Sequence, residues 1–146
     1  MAHIRQIIRE DVVSRLATVF APVQVLDSFV GPITDITPPV VNVNTPSGEA
    51  EVRTTGISPK VGRGDIVTVT YYGVADDGLA MQILLDDAAV LVEKTLKGTS
   101  TLGGKVLRLV PQEWESDFST DKESQFGIIT FEYSAQYELI DNDPEV

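Results

Sequence analysis

FGIITFEYSAQYEL, residues 126–139, alternates apolar and polar side chains with a period of two from Ile129 to Leu139. Side chains of a β-strand point alternately to its two faces, so the stretch predicts a strand with one buried face and one face toward water. Its eleven alternating residues would span about 35 Å, roughly twice the length of an ordinary strand. No side chain in the stretch suggests catalysis, so the reason for so long a strand must lie in the remaining sequence.

Length and composition predict one domain over residues 1–146, large enough to bury a core without a metal or a disulfide. The chain has no cysteine, which excludes disulfides, thiolate nucleophiles and cysteine-based zinc sites. No apolar run approaches the roughly 20 residues of a membrane span, and the start MAHIRQIIRED is charged. We therefore expect a soluble intracellular chain.

The net charge of -11 is concentrated at the C-terminal end of the chain. Residues 113–146 contain ten acidic side chains and one basic side chain. Lysine and arginine form no cluster that could face phosphate, so sequence-specific nucleic-acid binding and anionic-membrane binding are not expected. Residues 140–146 are predicted to form a flexible acidic tail.

Helical periodicity marks two segments of the chain. Apolar residues recur at three- and four-residue spacing from Ile4 to Phe20, which predicts an amphipathic helix that Pro22 ends. Asp76 or Asp77 is suited to cap a second helix that continues to about residue 97. One face of this second helix is predicted to carry Ala80, Ile83, Leu84, Asp87, Leu91 and Thr95, with Ala88 and Val92 beside it.

The remaining periodic segments are predicted as strands at 23–30, 40–44, 65–75 and 105–114, with 116–125 as a polar connector. Residues 45–64 hold two prolines and four glycines and predict a long surface loop or arm, with a possible hairpin around EAEVR. The candidate assembly residues of this arm are Pro46, Arg53, Lys60 and Arg63. This order of elements predicts an α+β fold, in which two main helices pack on a mixed or antiparallel sheet of about five strands as a single pair of layers.

Candidate catalytic groups have little support in the sequence. His3 is the only histidine and lies in the terminal residues, where we expect it to be exposed to solvent. GTSTLGGK at 98–105 lacks the lysine spacing of a phosphate-binding loop. The tripeptide RGD at 63–65 is interpreted as a glycine-rich turn. The prediction is no catalytic residue and no enzyme activity.

Binding sites for a metal or an aromatic ligand are also disfavoured. The adjacent aspartates at 76–77 and 86–87 would point about 100° apart on a helix, so capping and solvation are favoured over metal chelation. Trp114, Tyr133 and Tyr137 could stack on bases or sugars, but acidic neighbours and the absence of arginine or lysine favour core packing. We predict no metal-binding and no cofactor-binding residue.

The order of segments along the chain nevertheless resembles a known family. HIRQIIREDVVSRL, PPVVNVN, VTVTYYGVADDGLAMQILLDDAAVLVEKTL and VLRLVPQEWESDFSTDKESQFGIITFEYSAQYEL together resemble the tail-terminator, or tail-completion, proteins of long-tailed bacteriophages. The resemblance implies an α+β subunit that forms a homohexameric ring, caps the tail tube to fix its length, and presents its other surface for head-tail joining. It also implies a tail tube protein and a head-completion or neck-connector protein as partners, and a place in the neck region of the virion after assembly in the host cytoplasm. The long 45–64 segment departs from the family pattern.

A ring would explain the length of the strand predicted at 126–139, which could continue past the core of its own subunit to line a channel or contact a neighbouring subunit. Glu132 and Glu138 form the candidate exposed acidic face. It faces either the DNA channel, where it would repel phosphate, or the outer solvent, where it would keep the subunit soluble. Another connector of the virion neck is the alternative function. A small α+β ligand-binding module or enzyme is a further alternative, which a concave pocket with convergent polar groups would favour.

Overall fold

The computed structural model describes residues 3–30, 38–53, 60–97, 102, 106–121 and 124–140. These residues form two helices and one five-stranded mixed sheet, which confirms the predicted α+β class. In chain order the elements are α1 (Ile4–Phe20), β1 (Gln24–Asp27), β2 (Val40–Arg53), β3 (Lys60–Ala75), α2 (Gly78–Lys97), β4 (Arg108–Asp121) and β5 (Ser124–Ile140). The sheet order is β1-β2-β3-β5-β4, and only the β1–β2 pair among these neighbours is parallel.

Helix α1 has the predicted bounds and buries one stripe of side chains. His3 precedes it and accepts a hydrogen bond on Nδ1 from the Arg5 backbone N–H at 3.0 Å, so this histidine has a capping role rather than only an exposed one. The buried side chains recur every fourth residue and are Ile8, Val12, Leu16 and Phe20. The helix ends at Phe20, and the proline at 22 cannot continue it.

Helix α2 begins where predicted, but a different face of it is buried. The Asp77 carboxylate accepts a hydrogen bond from the Ala80 backbone N–H at 2.7 Å, which selects Asp77 as the capping residue. The buried side chains are Met81, Leu85, Ala88, Val92 and Leu96. The face predicted to carry Ile83 and Leu91 is not the buried one, since both of these side chains are exposed, whereas Ala88 and Val92 beside it are buried. Helix α2 is apolar on two sides, and periodicity alone does not tell which side meets the sheet.

Strand β5 confirms the prediction made from residues 126–139. It lies between β3 and β4, and its odd-numbered side chains face the helices. The buried members of this row are Ile129, Phe131, Tyr133, Ala135 and Tyr137. Most of its even-numbered side chains are half-buried rather than fully exposed, because β5 is an interior strand with neighbours on both sides. The sheet face that carries these even-numbered residues, away from the helices, is called the open face below.

Two segments predicted as loops are strands in the structure. The expected loop over 45–64 is replaced by the continuation of β2 through Arg53 and by the start of β3 at Lys60. The expected connector at 116–125 is replaced by the continuation of β4 through Asp121 and by the start of β5 at Ser124. Pairing across strands overrides the local glycine, proline and polar signals in both cases. The predicted tail lies outside the described residues, except for its first residue, which ends β5.

Two substitutions of large aliphatic residues by alanine test which face of α2 is buried. Leu85 is 1% exposed, so Leu85→Ala should lower the free energy of unfolding by about 2–5 kcal/mol through lost burial and a cavity. Ile83 is 53% exposed on the same helix, and Ile83→Ala should cost roughly 0.5 kcal/mol or less. Chemical denaturation of both variants measures the difference. Equal destabilisation by the two substitutions would contradict the orientation of α2.

Candidate assembly surfaces

Two long hairpins extend the sheet at opposite ends. The β2–β3 hairpin reaches Arg53 and Lys60, which are directly paired. The β4–β5 hairpin reaches Asp121 and Ser124, also directly paired. Strands β3 and β5 are antiparallel neighbours, with Lys60 opposite Ile140, so the β2–β3 hairpin ends where β5 finishes and the β4–β5 hairpin ends where β5 begins. The subunit therefore offers one strand hairpin in each direction.

The four candidate arm residues do not form one cluster. Arg53 and Lys60 are paired at the end of the described β2–β3 hairpin. Pro46 is exposed and lies within the register shift between Asn44 and Ser47, a place in a ladder where proline is tolerated. Arg63 lies further along β3, close to the core, and its role is distinct from that of the hairpin end.

A buried polar cluster lies where the β2–β3 hairpin joins the core. Asp65 is 1% exposed, and its Oδ2 accepts a hydrogen bond from the Tyr137 hydroxyl at 2.5 Å. The Arg63 guanidinium lies 3.7 Å from Asp65 Oδ1 and 5.6 Å from the centre of the Tyr137 ring. Gly48 is the β2 partner of Asp65, and a Cβ at this position would overlap Asp65 Oδ1. The cluster thus ties β2, β3 and β5 together at one level of the sheet.

The interpretation of RGD at 63–65 as a turn is wrong. These three residues lie inside strand β3, and burial of Asp65 leaves no exposed carboxylate for a ligand tripeptide. The sequence does contain a signal for this cluster. Asp65 has an odd residue number, like the buried residues Val67, Val69 and Tyr71 of the same strand. It is therefore a charged residue at a position where the alternation predicts a core residue.

The ionisable tyrosines of the core remain protonated near neutral pH. Burial raises the pKa of Tyr137, and the hydrogen bond to Asp65 raises it further. Burial raises the pKa of Tyr133 to about 12, with a smaller contribution from the negative charge of Glu93. Both phenols therefore act as hydrogen-bond donors or apolar rings rather than as bases under physiological conditions.

The candidate acidic face lies on the open face of the sheet. Glu132 and Glu138 are both half-buried there. Glu132 is directly opposite Thr68 on β3 and directly opposite Glu113 on β4, so two carboxylates face each other across the β4–β5 ladder. Glu138 is opposite Gly62 on β3. The two predicted site residues share one face and are separated along β5.

The open face also contains a concave region of about 790 Å³ beside two strand glycines. Its lining includes Gly62, Gly64, Arg108, Ser134 and Gln136. The Arg108 side chain donates a hydrogen bond to Gln136 Oε1 at 2.5 Å, so these two polar groups are directed at each other. No group of three or more potential metal-ligating side chains occurs among the described residues. None of their helices is long and apolar enough to cross a bilayer.

The outer edge of the sheet exposes an aromatic groove. Strand β4 is the last strand of the sheet, and its side chains from Pro111 to Asp117 are exposed. Trp114 is 66% exposed and lies opposite Phe131, which places it on the helix side of the sheet. The predicted core packing is therefore wrong for Trp114, although it is confirmed for the two tyrosines. A groove of about 480 Å³, called the edge groove below, separates Trp114 from the C-terminal turn of α2 at Lys97.

Comparisons with known proteins identify no family for this chain. No protein-family model matches it, and no curated protein matches it. Among solved structures, it is similar to a chain of the "Virion of native gene transfer agent (GTA) particle", with 12% identity and a TM-score of 0.32. The similarity covers 92% of this chain and 92% of that chain. Such a low TM-score does not by itself identify a shared function.

The buried cluster should contribute measurably to stability. Tyr137→Phe removes the hydroxyl that donates to the Asp65 carboxylate, and the expected loss is about 1–3 kcal/mol of unfolding free energy. Tyr72→Phe is the matched control, because Tyr72 is half-buried and no hydrogen bond of its hydroxyl occurs among the described residues. Urea denaturation measures both variants. Equal stability of the two variants would contradict the assigned role of the cluster.

Proposed function

We propose that this chain is a structural subunit of a phage-like particle and that it acts as a tail terminator. In this role it forms a homohexameric ring that caps the tail tube in the neck region, ends tube elongation and provides the surface for head-tail joining. It has no catalytic function in this proposal. DNA passes through the ring without sequence-specific binding.

The observation that supports this proposal is the excess length of the sheet over its helical cover. Strands β3 and β5 have 16 and 17 residues, which corresponds to about 50–55 Å. Helix α2 has 20 residues and is about 30 Å long. The strands are therefore longer than the helix that packs on them. Helix α2 covers the sheet as far as Gly73 and Gly127 near the β4–β5 hairpin, so the extension is clearest at the β2–β3 hairpin.

Assembly gives the extensions a physical purpose. Long uncovered strands attract other strands, and natural proteins usually shorten or cover them. In a closed ring, each subunit can cover its neighbour, and two opposite hairpins allow one contact to the tube and another toward the head. The similar chain described above comes from a virion particle.

Another connector of the virion neck would use the same geometry, and a terminator differs from it in binding the end of a tube. The purified chain should form rings of six subunits on tube ends in negative-stain images. It should also stop elongation when it is added to polymerising tube subunits. Rings that bind a head connector but never a tube would indicate a different neck protein. A chain that stays monomeric at all concentrations and leaves tube length unchanged would contradict an assembly role.

The channel assignment of the acidic face makes a separate prediction. Glu132→Lys combined with Glu138→Lys should leave assembly intact but slow DNA transit, because lysines in the channel would attract phosphate. The effect should grow as ionic strength falls and screening weakens. The control is Asp86→Lys combined with Asp87→Lys, which makes the same charge change on the exposed side of α2. Normal transit at low salt in the Glu132/Glu138 variant would place the acidic face toward the outer solvent.

A further inference from the structure

The outer edge of β4 has the properties of a strand-binding surface. No described strand pairs with this edge, and β4 is 14 residues long. Helix α1 packs mainly on β1 and β2, and helix α2 mainly on β3 and β5, and the β4 side chains from Pro111 to Asp117 are exposed. Backbone N–H and C=O groups on such an edge bind an added strand by extending the sheet.

A bulge gives the two sides of this edge different chemistry. The register shifts between Pro111 and Glu113, so Gln112 is the extra residue. Beyond the bulge, Glu113 and Glu115 belong to the open face, while Trp114 lies on the helix side. An added strand would therefore place alternate side chains beside the two carboxylates and beside the indole ring.

The electrostatic potential on this edge favours positive charge. Glu113 and Glu132 are directly opposite each other, and like charges at such positions repel. Glu93 also lines the edge groove, and its charge contributes to the raised pKa of Tyr133. Lys97 at the C-terminal end of α2 lines the same groove and offsets part of this negative charge, so the acidic excess is concentrated at Glu113, Glu115 and Glu132. A basic side chain on a partner would relieve this repulsion.

The edge groove supplies the apolar half of the site. Its volume of about 480 Å³ lies within the range of binding clefts. Its apolar lining comes from α2, β4 and β5 and consists of Leu96, Leu109, Pro111, Trp114, Phe131 and Tyr133. An exposed tryptophan beside such a groove is typical of an interface anchor.

We propose that β4 binds an extended segment of a different protein of the particle, in which lysine or arginine alternates with aliphatic residues. The basic side chains lie against Glu113 and Glu115, and the aliphatic side chains enter the edge groove beside Trp114. This inference deepens the proposed assembly role and rests on it for the identity of the partner as a virion protein. A second copy of this chain fits worse on this edge, because pairing of β4 with β4 would oppose like carboxylates.

Trp114 provides a direct reporter, because it is the only tryptophan of the chain. The probe is a blocked octapeptide that alternates lysine with valine, added to the full chain without tube subunits. We expect a saturable blue shift of the tryptophan emission, with matching heat in calorimetry. A peptide with glutamate in place of lysine, and one with N-methyl groups on the pairing amides, should not bind.

Charge reversal on the protein tests the same contact. Glu113→Lys combined with Glu115→Lys should weaken binding of the lysine peptide by about tenfold or more at low salt. The control is the Asp86/Asp87 double lysine variant, which changes charge on α2 outside the edge groove and should bind normally. Circular dichroism confirms that both variants are folded.

Several results would overturn the inference. They are no binding of the lysine peptide at millimolar concentration, equal binding of the glutamate peptide, or unchanged affinity in the Glu113/Glu115 variant. A blue shift that follows protein concentration alone, together with sedimentation as an oligomer, would show that a second copy covers the groove. If the chain binds the peptide but never caps tubes, the strand-binding site on β4 would be supported and the terminator role would be rejected.

Discussion

The ladder between β3 and β5 holds the rest of the structure in place. It runs from the Lys60–Ile140 pair to the pair formed by Ala75 and Gln125, so it occupies nearly the whole length of both strands. Because side chains alternate along both strands, one register decides which residues reach the helices, and a shift of one residue would turn Phe131 and its neighbours outward. Helix α2 covers the ladder as far as Gly73 and Gly127, close to the end at which β5 begins. The outer edges of the two hairpins, which pair with no described strand beyond β1, are the surfaces that an assembly can use.

The polar cluster of Asp65 fixes the alignment of the strands beyond the apolar core. A buried carboxylate is costly unless it has partners, and here the Tyr137 hydroxyl and the Arg63 guanidinium supply them. Because the partners come from β3 and β5 and because Gly48 of β2 leaves the necessary space, the cluster specifies one alignment of three strands. The hairpin that projects from this level therefore starts from a defined position.

Much of the fold could be predicted from the sequence, because helices and interior strands impose periodicity. Helix α1, the Asp77 cap and strand β5 all follow from local spacing. Of the arm over 45–64, only the possible hairpin around EAEVR could be predicted from the sequence. Gly48 is needed by a residue 17 positions away, and only the folded sheet shows this. The β4 extension lacks alternation, and its side chains from Pro111 to Asp117 are exposed. The exposure of Trp114 depends on its edge position, which the sequence does not encode locally.

Hydrogen exchange tests the central claim most directly, namely that the uncovered strands are the assembly surfaces. The amides of residues 45–53 in β2 and of 113–121 in β4 should exchange faster in the free subunit than those of β5, because their outer edges contact solvent. On tube ends, both segments should become strongly protected while the β3–β5 ladder changes little. Protection that is the same in the free and tube-bound states for both segments would contradict the account.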